Sequence, residues 1–264
     1  MDKLSQKLIQ FRTLVRANNR DVINHLVRNY LQRDQNGRAI RDVEPPFCII
    51  CSRSGDISKE HILPRWVYEK DEKAFFNIGA NGQPQSYNKA TVPMCTRCNS
   101  EILNELEKYL QSTFQSFYGD ETSLDFDALV NIVRWLELID YKFQVMNLVK
   151  RFVSPKGGKH IPFLKDYPIY MLLPNRDWSP AKVVSEIRWT LNRLSIKSKE
   201  NNINSLVVFR TKNKANHFFH NLNEFIFIEI VRYKIAVFYF YDRVFDSEEE
   251  AKVEATNVLD RVYK

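Results

Sequence analysis

Residues 48–66 read CIICSRSGDISKEHILPRW, and residues 94–99 read MCTRCN. These two stretches contain all four cysteines of the chain, arranged as two C-x-x-C pairs. In a reducing compartment this spacing favours one tetrahedral zinc site over disulfides, since each pair supplies two thiolates from one tight turn. A redox dithiol and buried thiols without a metal are the alternatives. We predict that a structural zinc ion is bound by Cys48, Cys51, Cys95 and Cys98.

Three residues near the cysteines have side chains suited to cutting a phosphodiester. Glu60 and His61 lie between the pairs, and Asn99 directly follows the last cysteine. A histidine with a near-neutral pKa can take a proton from water. A carboxylate and an amide oxygen can hold Mg²⁺ or Mn²⁺, which stabilises the leaving oxygen. Zinc would fasten these segments together, so we predict that the three side chains converge on one cleft.

The combined pattern C-x2-C, E-H-I-x-P and C-x2-C-N resembles the HNH endonuclease family over about residues 47–110. The resemblance implies a ββα-metal fold, in which two strands and a helix hold one catalytic cation. It implies that His61 is the general base and that Asn99, on the helix, is a cation ligand. Glu60 takes the place of the acidic residue that precedes the base.

Two positions depart from the family pattern. The family more often has aspartate where this chain has Glu60, and Ala90 occupies the usual position of the middle asparagine, which braces the base. The nearest candidate for that catalytic asparagine is Asn88. Each motif residue also has a structural interpretation, with His61 as a core histidine bonded to backbone and Asn99 as part of a helix cap.

The formal net charge is +7, and most of the excess lies in residues 150–220, which contain fourteen basic and four acidic side chains. This concentration predicts a polyanionic partner, DNA more than RNA, held through its phosphates. A solvated basic surface is the alternative. The residues predicted to contact nucleic acid are Lys156, Lys159, Arg188, Arg193, Lys197 and Lys199.

The distribution of apolar residues predicts an α+β fold with a small antiparallel sheet in the C-terminal half. Helices are expected over residues 3–32, from about residue 98, and over residues 124–149, 183–194 and 248–262. Strands are expected over residues 169–173, 205–210, 224–230 and 234–241. We expect a helical N-terminal extension at 1–44, an HNH nuclease domain at 45–120, and a nucleic-acid-binding or docking domain at 121–264.

The leading hypothesis is a metal-dependent endonuclease that acts on DNA. Proteins of this layout also occur as bacterial restriction or phage-defence effectors, which is an expectation from the resemblance alone. One alternative is a non-catalytic zinc-ribbon module that binds nucleic acid or protein, and another is a nuclease active only inside a larger protein complex. No uncharged apolar run is long enough to cross a membrane and no signal peptide is recognisable, so a cytoplasmic protein is expected.

Overall fold

The computed structural model describes residues 2–31, 45–68, 75–78, 83–120, 124–151, 180–221 and 224–262. The fold within them is α+β, as predicted. The helices are α1 Lys3–Tyr30, α2 Arg65–Tyr68, α3 Asn104–Asp120, α4 Phe126–Arg151, α5 Pro180–Ser195 and α6 Glu248–Val262. The strands are β1 Ile57–His61, β2 Phe75–Ile78, β3 Gln83–Ser86, β4 Thr91–Cys95, β5 Leu206–Arg210, β6 Phe218–Asn221, β7 Phe225–Ile230 and β8 Ile235–Phe240. The predicted strand at 169–173 lies outside the described residues, and so do Lys156 and Lys159.

The cysteine region contains two strands followed by a helix. Strands β1 and β4 pair antiparallel, in a register that sets Ile57 opposite Cys95 and His61 opposite Thr91. The chain leaves β4 directly into a π-helical segment, Arg97–Leu103, which continues as α3. The helix predicted from about residue 98 is therefore confirmed, and its first turns are wider than an α-helix. Strands β2 and β3 form a separate antiparallel pair in the connection between β1 and β4.

Helix α4 occupies the centre of the molecule. Its apolar spacing predicts an amphipathic helix, but residues 131–148 are all buried except for the partly exposed Arg134. The side chain of Tyr141 donates to the carbonyl of Ile49 at 2.6 Å on one side. From the opposite direction, the Tyr241 hydroxyl donates to the carbonyl of Leu136 at 3.2 Å. The amphipathic prediction is therefore wrong, because the cysteine region and the C-terminal sheet both cover this helix.

The C-terminal half contains a four-stranded antiparallel sheet in the order β5-β8-β7-β6. The three strands predicted there are confirmed, and β6 is an additional edge strand of only four residues. Helix α6 packs Ala251, Ala255 and Val258 against one face of this sheet. The other face joins one buried cluster that also includes residues of α1, the cysteine region and α4. The hydrophobic core is thus continuous across the predicted domain boundaries.

Among the helices in the described parts of the chain, none is both long enough and apolar enough to cross a membrane.

Candidate functional site

The four cysteines form one compact cluster. All four side chains are buried, and their sulfur atoms lie within 4.8 Å of one another. The Sγ atoms of Cys51 and Cys95 are 3.6 Å apart. Tetrahedral zinc with Zn–S bonds of about 2.3 Å requires sulfurs about 3.8 Å apart. The cluster is therefore consistent with a structural zinc site, as the spacing of the two pairs predicts.

The electrostatics of the thiols also fit a bound cation. Hydrogen bonds with the Cys48 and Cys98 thiols lower the pKa of Cys51 to about 2. The hydrogen bond to Cys51 raises the pKa of Cys48 to about 12, and hydrogen bonds to Cys48 and Cys51 raise that of Cys98. One thiolate therefore suppresses ionisation of its neighbours. A divalent metal ion would remove this conflict, because it lets all four sulfurs bind as thiolates.

Backbone hydrogen bonds fold the first cysteine pair into a turn and connect it to the second pair. Ser52 has a left-handed φ of 62°, and its N–H donates to the carbonyl of Cys48 at 2.9 Å. The Cys48 N–H in turn donates to the carbonyl of Arg53. Between the two pairs, the Thr96 N–H donates to the carbonyl of Asp56 at 3.2 Å. These contacts hold the first turn against the start of the helix that carries Asn99.

His61 is the last residue of β1 and is partly exposed. Burial, followed by the charge of Arg65, lowers the pKa of its imidazole. The backbone of Asn88 acts in the opposite direction, as a carbonyl acceptor beside the ring does, and the net shift is downward. The lowered pKa favours the neutral imidazole at physiological pH, which is the form that accepts a proton.

The two predicted asparagines lie in different elements. Asn88 is exposed in a short 3₁₀ turn, Tyr87–Lys89, and its side chain accepts a hydrogen bond from Ser86 at 2.8 Å. Its backbone, rather than its side chain, acts on the pKa of His61, and a pattern of side-chain types does not reveal such an effect. Asn99 lies in the π-helical segment, one residue after the buried Cys98, with its side chain partly exposed.

Glu60 lies next to His61 in β1, and its side chain is largely buried. Its Oε1 atom accepts a hydrogen bond from the Lys142 ammonium at 2.5 Å. Lys142, which is 1% exposed in the middle of α4, also donates to the carbonyl of His61 at 3.1 Å. A single ammonium therefore holds both residues of the Glu60-His61 pair, and the sequence motif gives no signal of it.

A second carboxyl group, that of Glu107 on α3, lies near this ion pair. Burial raises the pKa of Glu107 to about 7, while the Lys142 charge opposes that rise and the Glu60 charge adds to it. Glu107 is partly exposed and lies close enough to the Glu60–Lys142 pair for both of these charges to act on it. Glu105, on the same helix, forms an ion pair with Lys3 at 3.0 Å.

Replacing Lys142 with methionine is expected to destabilise the fold by about 3 kcal/mol, because it leaves the Glu60 carboxylate buried without its partner. The measurement is urea denaturation at pH 7. Lys108→Met is the matched control, since Lys108 is exposed and its ion pair with Glu105 is on the surface. Its loss is expected to cost less than about 1 kcal/mol. Equal losses in both variants would show that the buried pair contributes nothing beyond a surface contact.

Two of the predicted nucleic-acid contacts are buried instead. The Arg193 guanidinium forms an ion pair with the fully buried Asp140. The Lys199 ammonium is 2.5 Å from the carboxylate of Glu137, and both side chains are 2% exposed. The assignment of Arg193 and Lys199 to DNA is therefore wrong, because their charges are used to neutralise acidic residues of α4. Arg188 and Lys197 are exposed, so their assignment stays a prediction.

No protein-family model, no curated protein and no solved structure matches this chain. The function is therefore inferred from the chain's own residues.

Proposed function

We propose that this protein is a metal-dependent endonuclease that hydrolyses phosphodiester bonds in DNA. The observation that carries the proposal is the position of His61, which ends a strand beside the Asn88 backbone and has a lowered pKa. Its partner strand leads directly into the helix that carries Asn99. This order of strand, strand and helix is the one that the resemblance to HNH endonucleases implies.

In this proposal His61 is the general base. The Asn88 carbonyl is proposed to accept a hydrogen bond from one ring N–H, so the other nitrogen of the neutral ring has a lone pair that can take a proton from the attacking water. The low pKa of the imidazole keeps this lone pair available at neutral pH. Asn88 is then a positioning residue that acts through its backbone, and its side chain is not required for the reaction.

Glu60 and Asn99 are the proposed ligands of a Mg²⁺ or Mn²⁺ ion. Both offer hard oxygen atoms, which these ions prefer to the soft sulfurs of the cysteine cluster. The bond from Lys142 goes to Oε1 of Glu60, so the proposal assigns Oε2 to the cation. When bound, the cation polarises the scissile phosphate and stabilises the leaving oxygen. The four cysteines hold zinc in a purely structural role.

The DNA backbone is proposed to lie along the exposed basic residues Arg188 and Lys197. These residues would contact phosphates and carry no base preference, so binding should weaken as the salt concentration rises.

Cleavage of supercoiled plasmid in Mg²⁺ or Mn²⁺, abolished by EDTA, tests the proposal directly. Asn99→Ala is expected to lose at least about tenfold in rate at low Mg²⁺, because a lost ligand weakens cation binding. Part of that loss should return at high Mn²⁺, which occupies the weakened site by mass action. The measurement is a Mn²⁺ titration of the cleavage rate.

Ser100→Ala is the matched control for Asn99→Ala, since Ser100 is the next residue of the same segment and is exposed. It is expected to follow the wild-type metal dependence. If Asn99→Ala shows the same rate and metal dependence as Ser100→Ala, Asn99 is not a ligand. If the wild-type protein cuts neither plasmid nor single-stranded DNA with any divalent cation, the endonuclease proposal fails.

One observation favours a second candidate, a zinc-ribbon module that binds nucleic acid or protein without cutting. The buried pair of Glu60 and Lys142 gives the carboxylate a structural role that needs no catalytic cation. Both candidates bind nucleic acid, but only the endonuclease cleaves it. A protein that binds duplex DNA tightly yet leaves it intact in Mg²⁺ and Mn²⁺ would be this module.

A further inference from the structure

A cleft of about 840 Å³ opens between the first turns of α1 and α4; it is lined by none of Glu60, His61 and Asn99, and it shares only Lys197 with the surface proposed to hold DNA. Its walls include the apolar side chains of Leu8 and Ile9 and the rings of Tyr109 and Phe126. The Phe126 side chain is 55% exposed and Ile9 is 44% exposed. A cleft of this size fits a ligand of the size of a nucleotide.

Two guanidinium groups, those of Arg12 and Arg134, also line the cleft. The Arg134 group donates to Asn131 Oδ1 at 3.0 Å and to the carbonyl of Lys197 at 2.7 Å. Its Nε atom is buried and has no hydrogen-bond partner among the described residues. Arg12, within the same parts of the chain, forms neither a hydrogen bond nor an ion pair. Two guanidinium groups therefore line the cleft, and each has N–H donors that form no hydrogen bond within the described residues.

The positive charges of Arg12 and Arg134 also repel each other. Burial, followed by the charge of Arg12, lowers the pKa of Arg134. Burial and the neighbouring Arg16 lower the pKa of Arg12 in the same way. Protein carboxylates relieve this repulsion only in part, because Asp127 and Glu137 act on Arg134 through their charges without an ion pair, and Oε2 of Glu137 is 2.5 Å from the Lys199 ammonium. An anionic ligand would supply the missing partner.

Acidic side chains at the cleft limit the size of that ligand. Asp2, Asp127 and Glu200 line it together with the arginines, and the Asp2 carboxylate is already used to cap α1 through Ser5. Lys197, which also lines the cleft, is the residue proposed above to contact a DNA phosphate, but a duplex that entered the cleft would meet these carboxylates along its backbone. A ligand with one phosphate and an adjacent flat apolar group meets the arginines and the aromatic rings instead.

We propose that this cleft binds a nucleoside monophosphate or a ligand of the same chemistry, with Arg12 and Arg134 on the phosphate and Phe126 against the base. Bidentate hydrogen bonds from arginine suit a phosphate, and every base offers a flat face to an aromatic ring. The site is separate from the proposed nuclease centre, and its binding requires neither a divalent cation nor DNA.

Isothermal titration calorimetry of the full-length protein in EDTA tests this proposal, with AMP, UMP, adenosine and inorganic phosphate as the ligands. AMP and UMP are expected to bind saturably, and adenosine and phosphate at least tenfold more weakly. Arg12→Gln is expected to weaken AMP binding by on the order of tenfold to a hundredfold, as the loss of a charged hydrogen-bond donor predicts. Arg20→Gln is the matched control, because Arg20 is an exposed arginine of the same helix outside the cleft.

Phe126→Ala provides a second test at an exposed position, where the substitution leaves the core intact. It is expected to weaken AMP binding several-fold and to leave phosphate binding unchanged. The proposal is overturned if no nucleotide binds at millimolar concentration, if adenosine binds as tightly as AMP, or if Arg12→Gln and Arg20→Gln behave alike. Because the assay contains no cation and no DNA, its outcome is independent of whether the protein is a nuclease.

Discussion

Cys95→Ser is expected to leave the chain largely unfolded or insoluble. Structural zinc sites contribute on the order of 10–16 kcal/mol of apparent binding free energy to folding, which matches or exceeds the total stability of a typical domain at about 5–15 kcal/mol. Serine cannot supply the fourth thiolate, and the buried sulfurs of Cys48, Cys51 and Cys98 would lose their shared ion. Circular dichroism and solubility of the purified variant measure the effect.

Elemental analysis of the wild-type protein is expected to find one zinc per chain. Thr96→Ser is the matched control, since Thr96 is exposed between two cysteines and supplies no sulfur. It should keep the zinc and the wild-type thermal unfolding temperature. A folded wild-type protein that contains no zinc would contradict the prediction and favour a dithiol or plain buried thiols. A zinc-free protein could still bind Mg²⁺ at Glu60 and Asn99, so this result would not contradict the nuclease proposal.

The cysteine cluster was predictable because its signal is local. Each C-x-x-C pair specifies a turn by itself, and the absence of any further cysteine in the sequence left one way to complete a four-sulfur site. The sequence itself predicts the helix from about residue 98, whereas the two strands before it are expected only from the resemblance to HNH endonucleases. The pairing of β1 with β4 brings the two turns together, and that long-range step was predicted only through the assumption of a shared metal.

The charged residues of α4 show where sequence reasoning fails. The partners of Glu137, Asp140 and Lys142 are Lys199, Arg193 and Glu60, each more than fifty residues away in the chain. A single sequence does not show which distant charges meet. Lys199 and Arg193 were therefore assigned to DNA. The apolar spacing of α4 predicts one buried face, because this reasoning treats the polar residues of the helix as solvent-exposed. In the structure, Glu137, Asp140 and Lys142 are buried in ion pairs.

His61→Ala is expected to lower the rate of DNA cleavage by on the order of 10²–10⁴-fold, the usual contribution of a general base. His61 ends β1, and the hydrogen bond that it accepts from Lys142 goes to its backbone carbonyl, which alanine retains. The variant should therefore keep its fold, its zinc and its affinity for DNA. Single-turnover cleavage of plasmid at saturating Mn²⁺ measures the loss.

High Mn²⁺ should not restore the His61→Ala rate, since a saturated cation site does not replace the missing proton acceptor. His217→Ala is the matched control: it also removes one imidazole bonded to a protein oxygen, here a carboxylate oxygen of Glu229 in the C-terminal sheet. Its cleavage rate is expected to stay within about twofold of wild type. If high Mn²⁺ restored the cleavage rate of His61→Ala and left that of Asn99→Ala unchanged, His61 would be the cation ligand and Asn99 would not. Full activity of a folded His61→Ala protein would exclude His61 as the base, and the Asn88 contact would then be structural.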